Sequence, residues 1–298
     1  MTSFKNEIDK QVLILDGAMG TMVQNLGLTD TAFGGPEFKM LTDLLVFSRP
    51  DDLEGIHLEY LQAGANLIET DTFGASPLRL KEFNFSKFDP SDLKAIPDQL
   101  DMKTCSLESL TLELNIEGCR IAKRAIKKYR AQPDYDGRPL FVAGSIGPSN
   151  YVVSSTEANL NKGTFGQIVE NFYHQVLGLI EGGADVLLIE TQQDILETKA
   201  IITGANKAFA EKKKKLPMIV QATVDVFSKM QIFNTDIHAA YTAVSKMGID
   251  VFGINCNVGP DEMVTTVEKL SRFCRHPISV VPNAGQPISE DGQTCYKL

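Results

Sequence analysis

One junction recurs three times in this chain and limits what it can fold into. It reads Ala63-Gly64-Ala65-Asn66-Leu67-Ile68-Glu69, then Gly182-Gly183-Ala184-Asp185-Val186-Leu187-Leu188-Ile189-Glu190, then Met247-Gly248-Ile249-Asp250-Val251-Phe252-Gly253-Ile254-Asn255-Cys256. In each copy a glycine suits the left-handed residue that ends a helix, and a short turn then feeds a buried strand with a polar end. Apolar runs of strand length lie at residues 12–15, 66–70, 140–146, 185–191, 218–224, 250–256 and 278–283. Few of them alternate with polar residues, as expected of parallel strands covered on both faces. Helical stripes separate the later runs: Ile168, Phe172, Val176 and Leu179 in one, Ile237, Tyr241 and Val244 in the next. A third opens on Pro260-Asp261-Glu262, with proline and acids where a helix N-terminus favours them.

A repeated helix-to-strand unit with chemistry confined to strand ends is the pattern of a (β/α)8 TIM-type barrel. The rival, a doubly wound open sheet, lacks its usual signature, since neither GxGxxG nor a P-loop follows the first strand. Seven strands can be counted, so the expected fold is an α/β barrel of TIM type without its eighth βα unit. It occupies residues 1–298 as one domain, a piece of something longer. Segments 24–50 and 77–104 have no clear periodicity and read as loops.

Acidic residues outnumber Lys plus Arg by 38 to 29, for a net charge of −9, which argues against nucleic acid or an anionic membrane as partner. The basic run Lys212 to Lys215 reads as a solvated helix end or loop. No apolar signal region opens the chain, and no 18-residue apolar stretch occurs in it. The five cysteines, Cys105, Cys119, Cys256, Cys274 and Cys295, form no CxxC pair, which suits a reducing compartment and points to the cytoplasm.

The candidate chemical groups sit at strand ends. Asp16, after the first apolar run, is either a turn residue serving nearby amides or a carboxylate at the barrel mouth. Glu69 and Glu190 end two further runs, and Glu190, after four apolar residues, needs a partner. Cys256 is either an inert small hydrophobe or a thiolate that binds metal or attacks a substrate. His57, His174, His238 and His276 are not spaced as ligand pairs, and the three of them in helical patterns read as helix-face residues.

Six blocks then stand in order: LDGAMGTMVQ (15–24), ANLIETDTFGAS (65–76), VAGSIGPS (142–149), GGADVLLIETQQDILETKAII (182–202), GINCNVGPDEM (253–263) and PNAGQP (282–287). Together they resemble the homocysteine-binding module of cobalamin-dependent methionine synthases, in the homocysteine S-methyltransferase family. The resemblance implies a barrel, a zinc ion, homocysteine as substrate and methionine as product. It also implies methylcobalamin as donor, with cobalamin- and folate-binding modules as partners. By motif, Cys256 resembles the first of three zinc thiolates, and Asn283 a residue that coordinates the metal when substrate is absent. Asp16 and Glu190 resemble the acids that hold the homocysteine ammonium, with amides near Gly17 and Ala18 for its carboxylate. The family's other two zinc cysteines are adjacent in a Gly-Gly-Cys-Cys motif that this sequence lacks, so its zinc site is incomplete. Three-thiolate zinc would leave a position at which a substrate thiol loses its proton. The alternatives are a homocysteine methyltransferase with a sulfonium or betaine donor, and a non-catalytic fragment that needs a partner chain.

Overall fold

The apolar runs assemble into one parallel sheet, taken in chain order. A computed structural model describes residues 3–94, 96–97, 100–155, 161–290 and 293–297. Its strands are β1 (Leu67–Glu69), β2 (Phe141–Ile146), β3 (Val186–Gln192), β4 (Met218–Ala222), β5 (Val251–Asn255) and β6 (Ile278–Val281), each hydrogen-bonded to the next. The helices are α1 (Phe4–Ile8), α2 (Met19–Asn25), α3 (Leu45–Ser48), α4 (Pro50–Gln62), α5 (Pro77–Leu80) and α6 (Leu107–Arg130). They continue as α7 (Phe165–Gly182), α8 (Ile195–Lys212), α9 (Ile237–Val244) and α10 (Pro260–Phe273). The recurring junction forms as its glycines require, with Gly64, Gly183 and Gly248 all at positive φ. None of the described helices is long and apolar enough to cross a membrane.

Strand periodicity sorts the side chains into two layers. Ile68, Val142, Leu187, Ile189, Val220, Phe252 and Ile254 face outward and share a core with the long helices. The alternate residues Leu67, Phe141, Ala143, Val186, Leu188, Ile219 and Val251 converge on each other and on Phe4 of α1. Residues from β1 to β5 can meet in one inner cluster only because the sheet curls. Phe4 closes that cluster from below, its ring edge-on to Phe141 with centroids 5.6 Å apart, and Lys5 pairs with Asp250 at the start of β5. An apolar cavity of about 400 Å³ lies beside α1, lined from one rim of the sheet by Leu13 and Leu15 and from the other by Ile278 and Ser279.

Three expectations need correction. The run at 12–15 is not a full strand: only Leu15 makes a parallel bridge, to Leu67, while Val12 and Ile14 are exposed. The eight-unit barrel short of one unit is, among the described residues, a six-stranded curled half-barrel, followed by an antiparallel pair, β7 (Gln286–Glu290) and β8 (Gln293–Lys297). Segments 24–50 and 77–104 are not plain loops but contain α3, α5 and several single turns of 3-10 helix. They build a second core around Phe38, whose ring lies 5.3 Å from those of Phe85 and Phe88. Lys212–Lys215 lies as expected, exposed at the end of α8 with Lys213 in the left-handed region.

Candidate active site

Inner-face parity carries polar groups up to one rim. Two residues beyond Leu67 comes Glu69; beyond Ala143, Ser145; beyond Leu188, Glu190; beyond Ile219, Gln221; beyond Gly253, Asn255. Asp16, Gly17, Ala18, Glu69, Glu190, Cys256 and Asn283 all line a cavity of about 480 Å³ there, with Tyr60, Gln221 and Asn255. Gly253 lets β6 approach closely, since an added Cβ would stand 1.9 Å from the Ser279 carbonyl oxygen.

Three of those groups are carboxyls, Asp16 and Glu190 buried and Glu69 half-buried, and among the described residues the cavity lining contains no Lys, Arg or His. One oxygen of Asp16 accepts the Glu69 backbone N–H at 2.9 Å, and the other, Oδ1, is buried without a protein partner. Ser145 donates to Glu190 Oε1 at 2.6 Å. Burial first, and mutual repulsion second, hold Asp16 and Glu69 well above the usual carboxylate range. Burial likewise pushes Glu190 up to about 7, against the hydrogen bonds from Ser145 and Thr191. Such a group of acids is costly without a cation to neutralise it. The geometry suits a small ligand bearing an ammonium.

The thiol side is organised by Asn255, a residue to which sequence reading assigned no role. Its Nδ2 lies 2.9 Å from Thr191 Oγ1, 3.3 Å from Cys256 Sγ and 3.4 Å from Glu190 Oε2. Its Oδ1 accepts the Thr191 backbone N–H at 2.9 Å. Thr191 and Cys256 both have positive φ, at 58° and 61°, which is unfavourable for a β-branched residue and for any residue with a Cβ. Strand parity, extended upward from Val251, was the available signal for Asn255. Asn255→Ala is expected to cost about 1–3 kcal/mol, because it strips the partners from buried polar groups. Asn255→Asp should do worse at pH 8 than at pH 6, since it sets a fourth carboxyl against Glu190. Urea unfolding at both pH values measures each.

Burial raises the Cys256 thiol pKa, with Thr191 opposing and Glu190 reinforcing the shift. Cys119 is buried against the Leu179 carbonyl and Cys274 contacts the His276 carbonyl, so neither reaches the cavity. Asn283 lines the cavity and its backbone N–H donates to Val258 O at 3.0 Å. Among the described residues, no three His, Cys, Asp or Glu side chains are grouped to hold a metal ion. Cys256 is the one thiol in the described lining, and these residues do not fit the three-thiolate zinc site that the resemblance implies.

Comparison with known proteins gives the family. A family model for homocysteine S-methyltransferase matches residues 13–298. The chain belongs to the homocysteine S-methyltransferase family. Within it, the methionine synthase of Mycobacterium tuberculosis is 33% identical over 287 residues, which cover 96% of this chain and 21% of that protein. The methionine synthase of Mycobacterium leprae has the same identity and coverage. The chain thus spans about a fifth of those relatives' length. Among solved structures, the homocysteine methyltransferase MmuM from Escherichia coli in its metallated form superposes with a TM-score of 0.72, at 21% identity, covering 94% of this chain and 86% of that one. Its oxidized form gives 0.66 at 22% identity, covering 93% and 84%. At that identity the likeness concerns the fold.

Proposed function

We propose that this chain is the methyl-accepting domain of a methionine-synthase-type protein, and that its cavity binds homocysteine. The observation that carries the reading is the trio of carboxyls, Asp16 and Glu190 buried and Glu69 half-buried, around a cavity whose described lining has no cation. The homocysteine ammonium would sit among them, where Asp16 Oδ1 lacks a partner. Backbone amides near Gly17 and Ala18 would take its carboxylate, and the side chain would extend toward Cys256 and Asn283. Two or more contacts to the ammonium fix the ligand's orientation and so place its sulfur, which is the protein's contribution to alignment. In the reaction, sulfur forms a bond to the methyl carbon, the carbon–donor bond breaks, and the thiol proton is released. Methylcobalamin is the proposed donor, carried by another module, with folate serving a further one. Zinc is part of the proposal only as a group that the described residues leave short of donors.

Titration calorimetry with L-homocysteine and with 4-mercaptobutyrate, which lacks the amine, tests the reading. Saturable binding of the first and loss of at least about tenfold with the second is the expected result, from removal of one charge-assisted contact. Equal affinity would remove the carboxylates from the substrate site. Supplying methylcobalamin, S-methylmethionine or S-adenosylmethionine to the full-length protein then identifies the donor. Metal analysis of purified residues 1–298 is expected to show less than stoichiometric zinc. A full equivalent would place a further ligand, such as Cys295, in the site.

A further inference from the structure

The longest helix, α6, carries six cations between residues 120 and 130, and they fall into two sets. Arg120, Arg124 and Lys128 face acids: Arg124 pairs with Glu54 at 3.0 Å, Lys128 with Glu54 at 2.6 Å and Arg120 with Glu117 at 3.6 Å. Lys123, Lys127 and Arg130 follow one another at spacings of four and three, which places them on another face of the helix. That face borders a cavity of about 430 Å³, and among the described residues none of the three has an acidic side chain within ion-pair distance. Arg130 donates to the Leu140 carbonyl at 3.5 Å. The only acid in the described lining, Asp185, already accepts the Val142 backbone N–H at 2.9 Å. The floor is apolar: Ile126, Leu140 and the start of β2.

Like charges one helical turn apart repel, so Lys123 beside Lys127 is unfavourable in the empty protein. The dipole of α6 offsets this for Lys127 and Arg130 in its last turn, and the Lys123 ammonium lies beside Gly183 at the C-terminal end of α7. In a chain of net charge −9, whose other α6 cations are neutralised, this is a local positive field over an apolar floor. The row of cations extends about 10 Å along the helix. That is room for more than one anionic oxygen cluster. The cavity adjoins the beginning of β2, whereas the carboxylate site lies at the strands' opposite ends.

We propose that this cavity binds a small organic phosphate, with its anionic end held by Lys123, Lys127 and Arg130 and its apolar body laid on Ile126 and Leu140. The site is separate from the carboxylate cavity, and the proposal does not depend on homocysteine binding.

The test is titration of the purified chain with ADP and with pyrophosphate, followed by calorimetry and 31P NMR. ADP should saturate one site and bind more tightly than pyrophosphate, because only ADP has a body for the apolar floor. The double variant Lys123→Gln/Lys127→Gln should weaken ADP roughly 100-fold, at about tenfold for each charge-assisted contact. Lys207→Gln, which neutralises a distant lysine paired with Glu170, should leave it unchanged. Both side chains in the double variant are exposed, so a matching thermal melt confirms the fold. No saturable binding at millimolar ADP would overturn the proposal. So would equal weakening in Lys207→Gln, which would mean bulk charge alone. Equal affinity for the two ligands would overturn the apolar half of the site and leave a site for free phosphate groups.

Discussion

Replacing Glu190 with Gln is expected to weaken homocysteine binding by roughly one to two orders of magnitude, the loss of about 1.5–3 kcal/mol from a charged hydrogen bond. The substitution keeps the side-chain shape and can still accept from Ser145, which lies 2.6 Å from Oε1. What it removes is charge. The pH dependence has a definite sign. Burial lifts Glu190 to about 7, so in the free protein it is largely protonated at pH 6 and largely ionised at pH 8. A bound ammonium favours the ionised form, so binding releases protons and affinity rises with pH across that interval. In Glu190→Gln the rise should flatten, leaving the part due to Asp16 and Glu69, which are also shifted upward. Calorimetry at pH 6, 7 and 8 in buffers of different ionisation enthalpy reads affinity and proton release together. An unchanged affinity and slope in the variant would mean that the ammonium is bound elsewhere.

The second large effect lies away from the cavity. Phe38→Ala is expected to cost about 3–5 kcal/mol, the usual range for removing a fully buried phenylalanine. Phe38 is 1% exposed and its ring meets those of Phe83, Phe85 and Phe88 with centroids 5.8, 5.3 and 5.3 Å away. Those neighbours come from a segment more than forty residues along the chain, so the cavity left behind joins two insertions at once. Chemical unfolding measures the loss, and a cost below 1 kcal/mol would show that the insertions rearrange to fill the space. Met22 and Tyr60 border this second core and also line the carboxylate cavity. A secondary weakening of homocysteine binding in the variant is therefore expected.

The second core also shows where sequence was hard to read. Phe33, Phe38 and Phe85 stand in single turns of 3-10 helix, which have too few residues to display either a helical or a strand period. Aromatic density without periodicity looked like loop. The sheet was legible for the opposite reason: strands buried on both faces, such as Val186–Gln192, form continuous apolar runs that stand out from their surroundings. Residues 12–15 passed the same test and yet make only one bridge, because a rim segment paired on one side has the composition of a strand without its hydrogen bonds. At the site, Asp16, Glu69, Glu190 and Cys256 could be found as polar groups closing apolar runs. Gln221 and Asn255 required knowing which face of each strand turns inward, and that parity depends on the curl of the whole sheet.

The curl itself is held in an unusual way. Among the described residues no backbone hydrogen bond joins the Leu15 rim to β6; α1 spans the gap with side chains instead, Phe4 in the inner cluster and Lys5 on Asp250. The side chains of α1 are thus the catch between the two rims. Asp16 belongs to one rim, Asn283 follows the other, and the ligand's two ends would be gripped by groups whose separation that catch controls. With homocysteine bound as proposed, apolar packing at the base of the sheet would thereby set the electrostatic fit at its mouth. A change in how tightly α1 seats would act on substrate affinity mechanically, with no residue of the cavity altered.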